Sequence, residues 1–459
     1  MLTINDSIRP ADLLPSLQRM WQLSAAKLLS IQADWLPERG TPVFTAAGKY
    51  TSQGWTEWTQ GFHFGSAILQ FDATGDESFL KAGRSGTVAR MASHVTHVGV
   101  HDHGFNNVST YGNLRRLMLE GRFPHNAREL DFYELALKAS GAVQAARWSR
   151  TIDGHGYIYS FNGPHSLFSD TIRSLRALAL AHRLGHALMA ENDAAISLLD
   201  RLVQHARTTA KYNVYYGEGR DAYDMRGRVA HESIFNTNDG RYRCPSTQQG
   251  FSPFSTWTRG LAWVMCGYAE QLEFLATVSD DALEPLGGRT DIEAMMRAAA
   301  LAACDFYLQS TPADGVPYWD TGAPGLQRLG DYQQRPADPF NGHEPVDSSA
   351  AAIAAQGLLR LGGYLEAAGD AHGGRRYWQA GLTVLKTLLE EPYLSVRDEH
   401  QGLLLHTVYH RPRGWDYIPP GHSIPCGESC MWGDYHLREA GLYVQRIACG
   451  DPYYAFFAP

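Results

Sequence analysis

Apolar residues recur at spacings of three and four along almost the whole chain, as in Leu180, Leu184 and Leu188. A chain patterned this way has to bury its apolar stripes helix against helix. The periodicity predicts helices near 11–33, 59–73, 77–97, 104–120, 127–148, 170–189, 191–211, 255–277, 291–310, 347–368, 372–391 and 430–447. Roughly every second helix opens on a cluster of aromatic and polar residues. The clusters are Trp58-Thr59-Gln60-Gly61-Phe62, His101-Asp102-His103-Gly104-Phe105, Ser169-Asp170-Thr171, Ser255-Thr256-Trp257-Thr258-Arg259-Gly260, Asp347-Ser348-Ser349 and Trp432-Gly433-Asp434-Tyr435. The helices between them open without such clusters. If alternate helices run the same way around a common axis, all these starts meet at one mouth. This pattern predicts an all-α fold of six helical hairpins closed into an (α/α)6 barrel, with long loops and short β-hairpins at the active-site mouth. No linker composition divides residues 1–459, which read as one domain.

Within that plan, the run Ser349-Ala350-Ala351-Ala352-Ile353-Ala354-Ala355 has small residues on nearly every face and predicts a tightly surrounded inner helix capped by Asp347 or Ser348. Strand signals are few: 156–159, 212–216 and 403–408 read as hairpin fragments in loops. The loops near 212–254 and 311–346 are rich in Gly, Pro, Asp and aromatics, and loops of such length in a compact protein are usually functional.

Composition narrows the partners. The chain is 44% hydrophobic over 459 residues, enough for a large core, and its net charge of -8 argues against nucleic acid or an anionic membrane. The N-terminus lacks a basic and then apolar leader, and no apolar run reaches membrane-spanning length. The six cysteines are scattered; Cys426 and Cys430 are the nearest pair, with no second pair at zinc-like spacing. A cytoplasmic, reduced protein without cofactor or metal is expected, monomer or homodimer. The 11 Trp and 23 Tyr supply sugar-stacking surfaces as readily as core.

Asp102 and Asp170 each stand at a helix start, where an Asp ordinarily caps. On neighbouring inner helices they would instead face each other across the mouth. Two close carboxylates do not both ionise freely, so one is expected to stay protonated near neutral pH, giving an acid and a base from one residue type. His231, in the long loop before Gln248-Gln249-Gly250, reads as solvated or functional. Trp257 could stack on a sugar, and Arg259 could grip a substrate carboxylate in two-pronged fashion or pair with a structural carboxylate. His94, His97 and His101 share a helical face, but no acidic partner other than Asp102 accompanies them for a metal. No Gly-x-Ser-x-Gly elbow is present.

The order His101-Asp102-x-Gly104-Phe105, Asp170, Gln249-Gly250, Ser255-Thr256-Trp257-x-Arg259-Gly260-x-Ala262-Trp263, Asp314-Gly315-Val316-Pro317-Tyr318-Trp319-Asp320, Asp347-Ser348-Ser349-Ala350-Ala351 and Gly433-Asp434-Tyr435 resembles the unsaturated glucuronyl hydrolases of glycoside hydrolase family 88, over residues 55 to 440. The resemblance implies an (α/α)6 barrel acting on an oligosaccharide with a terminal unsaturated uronic acid, the product of a polysaccharide lyase. It implies hydration of the C4=C5 enol ether rather than displacement at the anomeric carbon. Asp170 aligns with the acid/base and Asp102 with the second carboxylate. Trp58, His101, His231, Gln249, Trp257 and Arg259 align with substrate-binding positions. The chain departs from the family at Ser174, where Asn is usual, at His63, where a second Trp is usual, and at Arg173 and Arg176, where apolar residues are common. A related unsaturated rhamnogalacturonyl hydrolase, a sugar isomerase or lyase using His231 or the His94–His103 group as base, and an inactive carbohydrate-binding barrel stand as alternatives.

Overall fold

The structure is a computed structural model that describes residues 1–54, 57–452 and 454–457. Residues 55 and 56, where the family resemblance begins, lie outside the described residues. Six helices bury nearly every face and follow one another around an axis. They are α1 (Gln60–Thr74), α2 (His103–Asn107, continued through a π turn Val108–Gly112 into Asn113–Leu119), α3 (Thr171–Ser174 and Arg176–Arg183), α4 (Thr258–Leu275), α5 (Ser348–Ala367) and α6 (Met431–Cys449). Each packs on the next, and α6 packs back on α1, so the ring closes. Six further helices, Leu14–Asp34, Glu77–Arg90, Ala127–Ala146, Leu198–Tyr212, Arg289–Ser310 and Ala371–Leu388, alternate with them in sequence and pack on the outside.

The inner helices behave as their composition predicts. Every residue of α5 from Ser348 to Gly362 is buried, because Ala and Gly leave room for neighbours on all sides. Its start is capped as expected: the Asp347 side chain accepts from Ser349 and Ala350 N–H. The outer helices are two-faced, as in Leu198–Tyr212, where Leu198, Leu199, Leu202, Val203 and Ala206 point inward.

The sequence reading fails where periodicity overran a stop signal. The helix predicted over 170–189 bends at Leu175 and ends at Arg183, because Gly185 takes a left-handed conformation (φ 72°) and reverses the chain. Leu184 and Leu188 keep the helical spacing but belong to a turn and to a short antiparallel pair, Ala187–Met189 with Ala195–Ser197. The following helix therefore starts at Leu198, capped by Ser197, rather than at 191. Of the expected strands, 156–159 is present as Gly156–Ile158. The other two are not strands: Val214 bridges Val229, and Leu404 bridges Leu394. A three-stranded antiparallel sheet passed unpredicted: β1 (Ser166–Phe168), β2 (Glu232–Phe235) and β3 (Tyr242–Ser246). It carries the chain into Asp170 and sets His231 just ahead of β2. No helix among the described residues is long and apolar enough to cross a membrane.

Candidate active site

Asp102 and Asp170 sit immediately before α2 and α3, yet neither side chain caps its helix. Their carbonyls do begin the helical ladder: Asp102 O accepts from Phe105 N (2.9 Å) and Asp170 O from Arg173 N (3.0 Å). The carboxylates turn instead into a pocket at the helix starts, which both of them line. This is the opposite of Asp347, whose carboxylate is taken up by its own helix start and by Arg259.

Between the two carboxylates stands His101, 2% exposed. Its Nε2 lies 3.1 Å from Asp170 Oδ1 and 3.6 Å from Asp102 Oδ1. Burial pulls the imidazole toward neutrality, but the two carboxylates outweigh it and hold its pKa above the ordinary histidine value. Burial raises Asp102, and the Asp170 charge adds to the rise. Burial acts on Asp170 the same way, but the His101 ring, and then His231 and Arg259, carry it below the usual carboxylate value. One member of the pair is thus biased toward its neutral form, as expected. It is Asp102, however, and not the aligned acid Asp170, because Asp170 has the closer histidine.

Two residues make this approach possible. A Cβ on Gly104 would stand 2.1 Å from Ser174 O, so only glycine lets the first turns of α2 and α3 touch. Ser174 then ties them together: its Oγ accepts from Gly104 N–H (2.9 Å) and Gln144 Nε2–H (2.9 Å) and donates to His101 O (2.7 Å). The departure from Asn at this position is therefore a small hub that fixes the His101-Asp102 backbone from behind. The other departures lie away from the pocket. His63 stacks on Phe64 on the far face of α1, and Arg173 and Arg176 are sealed in the core.

The remaining expected residues divide. Trp58, Gln249 and Trp257 line the pocket with Asp102 and Asp170, and Trp58 stacks on Trp432 (4.9 Å, 27°). Arg259 also reaches the pocket, but its terminal nitrogens are spoken for. Nη1 bonds Asp347 Oδ2 (3.2 Å) and Val408 O; Nη2 bonds Gln249 Oε1 (2.9 Å) and Tyr409 O (2.8 Å). The two-pronged grip on a substrate carboxylate gives way to the structural pairing. Arg259 orients Gln249, anchors the 408–409 backbone and lends the pocket its charge. His231 packs behind the wall, between Phe168 (4.4 Å) and Trp257 (4.7 Å). Its Nδ1 accepts from Gln248 N–H (3.0 Å), and burial lowers its pKa to about 4, so the neutral ring carries its proton on Nε2.

One wall was missed altogether. Tyr409, His410, Arg413 and Trp415 line the pocket from a strap that directly follows the expected strand 403–408. Asp416 holds the strap's bend by accepting from Tyr409 N–H and His410 N–H. The signal was present as a basic and aromatic run, Tyr409-His410-Arg411-Pro412-Arg413-Gly414-Trp415, but no periodicity marks a loop as a wall. Phe161, after the 156–158 strand, closes another side.

No family model matches the chain. It is 26% identical over 392 residues to the unsaturated glucuronyl hydrolase of Formosa agariphila (strain DSM 15362 / KCTC 12365 / LMG 23005 / KMM 3901 / M-2Alg 35-1), covering 84% of this chain and 79% of that one. It is 25% identical over 445 residues to the unsaturated glucuronyl hydrolase of Bacillus sp. (strain GL1), covering 94% and 98%. Among solved structures, it shares the fold of an unsaturated glucuronyl hydrolase specific for heparin, with a TM-score of 0.71, 20% identity and coverage of 95% and 98%. In sequence over most of its length, and in fold, the chain is a relative of the unsaturated glucuronyl hydrolases.

Proposed function

We propose that this protein removes a terminal 4,5-unsaturated uronic acid from lyase-generated oligosaccharides by hydrating the C4=C5 enol ether. The observation that carries the reading is the pair Asp102 and Asp170, released from capping duty and joined through His101 in an aromatic pocket. In this reading the closed helical ring is an (α/α)6 barrel, residues 1–459 form one domain, and the protein works in the cytoplasm.

Asp170 gives its proton to C4 of the unsaturated ring. A water adds its oxygen at C5 and returns a proton to the Asp170 carboxylate. The resulting hemiketal opens, and the bond to the next sugar breaks as a consequence. No residue attacks the anomeric carbon. Trp58 and Trp257 offer ring faces to the sugar, and Gln249, with its Oε1 fixed by Arg259, presents its amide nitrogen. His101 holds both carboxylates in register.

The low pKa of Asp170 in the free site sets a condition on the mechanism, because protonating a carbon requires its neutral form. The uronate of the substrate supplies the remedy: a second anion entering a closed pocket raises a neighbouring carboxyl group. The basic limb of kcat should therefore lie at higher pH than that of kcat/KM, which reports the free enzyme. Coincident limbs would mean that Asp170 does not receive its proton in this way. A histidine-based reading finds no support in His231, whose free lone pair is already used by Gln248 N–H.

The test follows the ultraviolet absorbance of the conjugated double bond in a panel of unsaturated disaccharides, with Asp170→Asn as control. Loss of absorbance that requires Asp170 is the expected result. A folded protein that consumes no member of the panel would overturn the proposal.

A further inference from the structure

Two loop segments wall the pocket: 248–257, which brings Gln249 and Trp257, and 409–415, which brings Tyr409, His410, Arg413 and Trp415. Arg259 joins them. Its Nη2 bonds Gln249 Oε1 (2.9 Å) on one side and Tyr409 O (2.8 Å) on the other, and its Nη1 bonds Val408 O. Tyr409 is thus gripped through its carbonyl. Asp416 grips the same residue through its N–H: Oδ1 accepts from Tyr409 N–H, and Oδ2 accepts from His410 N–H (3.0 Å). A stretch of loop backbone with a cation on its carbonyls and an anion on its N–H groups is fixed from both sides by charge-assisted bonds.

The place of Tyr409 sets a run of aromatic rings. Its own ring packs on Trp432 (5.0 Å) and on Trp415 (5.2 Å), and Trp415 meets the His410 ring (4.8 Å). Trp432 in turn stacks on Trp58, across the pocket wall. The Arg259 guanidinium lies 4.7 Å from the rings of both Trp257 and Trp432. Asp416 itself stands outside the pocket lining and is half-buried. Burial of its carboxyl group raises its pKa to about 6, against the pull of the two N–H groups and Arg259 and with Asp347 adding to the rise. At neutral pH Asp416 is therefore still ionised, and each of its oxygens faces one N–H donor.

We propose that Asp416 is a positioning residue for substrate binding: by clamping Tyr409 against Arg259 it fixes the gap between Gln249 and the 409–415 wall, and with it the affinity of the pocket for the unsaturated sugar. The inference rests on the reaction proposed above and adds that affinity and chemistry are separable. The clamp holds the wall, whereas the His101-Asp102 backbone is held by Ser174, which touches no part of the strap.

The experiment compares wild type with Asp416→Asn, which keeps the side chain's shape but turns an amide NH2 against one of the two backbone N–H groups. On the unsaturated disaccharide that wild type consumes fastest, the variant's KM should rise about tenfold while kcat stays within about twofold. KM does not depend on how much of the protein is folded, so a purely structural role would leave it unchanged. An unchanged KM, or a fall in kcat larger than the rise in KM, would overturn the proposal. Amide hydrogen exchange, read separately on 409–415 and on α5, needs no substrate. Exchange in 409–415 should quicken in the variant while α5 keeps its wild-type protection; unchanged exchange in 409–415 would also overturn the proposal. If wild type consumes no disaccharide, the reaction is wrong, and exchange alone decides the clamp: faster exchange in 409–415 supports it, and unchanged exchange removes it.

Discussion

Two groups of charges are buried in the same ring of helices, and they are treated in opposite ways. At the mouth, Asp102 and Asp170 share one histidine. Arg259, the guanidinium beside them, is already bound to Asp347, Gln249 and backbone carbonyls. On the axis below, Arg173 bonds Glu270 and, at 2.9 Å, Glu439. Arg176 lies 3.5 Å from Glu439, and Arg360 pairs with Glu273 at 2.7 Å. Tyr435 and Tyr454 add hydroxyls to Glu439. Burial would raise Glu439, but Arg173 and Arg176 carry it down to about 2. The axial charges are compensated and closed off, whereas the mouth carboxylates are under-compensated and open to a cavity. Desolvation is common to both groups; what separates a reactive pair from a structural one is how much opposite charge the fold leaves beside it.

That contrast can be broken most directly at its two ends. Asp170→Asn should lower kcat/KM by at least about 10³-fold, the upper range for a lost general acid, while the thermal midpoint stays put because the side chain caps nothing. A large fall in stability would place Asp170 with the structural group. Glu439→Gln should do the reverse, costing about 3–5 kcal/mol in urea titrations by leaving Arg173 and Arg176 facing too little negative charge. Its activity per folded molecule should be unchanged. His101→Asn removes the shared partner at the mouth and should cost about a hundredfold in kcat through misplacement of the two carboxylates. An unaltered rate with a raised KM would return His101 to simple substrate binding.

The smallest effect concerns acid. His205 and His436 are driven by burial to about 3, below the free value of 6.5. The unfolded chain therefore binds more protons than the folded one between those values, so stability should fall as pH drops below 6.5. Glu439, at about 2 against 4.5, continues the decline between pH 4.5 and 2. Glu439→Gln should flatten the lower segment only. If its denaturation profile parallels wild type below pH 4.5, the axial network is not what titrates there.

Much of the site was legible because helix starts are local. Asp102, Asp170, Trp58 and Trp257 stand in clusters preceding apolar periodicity, Gln249 is carried only by the family resemblance, and the structure gathers all five around one pocket. Gly185 was legible too and was overrun, since three leucines at helical spacing masked a turn residue. Arg259 illustrates a different failure. Its two readings, ligand clamp or structural partner, depend on where Asp347 and Val408 fall, 88 and 149 residues away. The clusters at Asp347 and Asp434 looked like those at Asp102 and Asp170. Yet Asp434 spends its oxygens on Leu403 N–H, Leu404 N–H and the Tyr50 and Ser429 hydroxyls.

The sequence by itself determined the alternation of buried and two-faced helices and the positions of their starts, because apolar spacing and capping residues act within a few positions of the chain. Only the tertiary structure decided which of six similar helix starts turn their carboxylates into a pocket, that the one pushed toward its neutral form is Asp102, and that the segment 409–415 walls that pocket. Those outcomes depend on long-range partners, such as His101 for Asp170 and Ser174 for Gly104, whose distances no local pattern encodes.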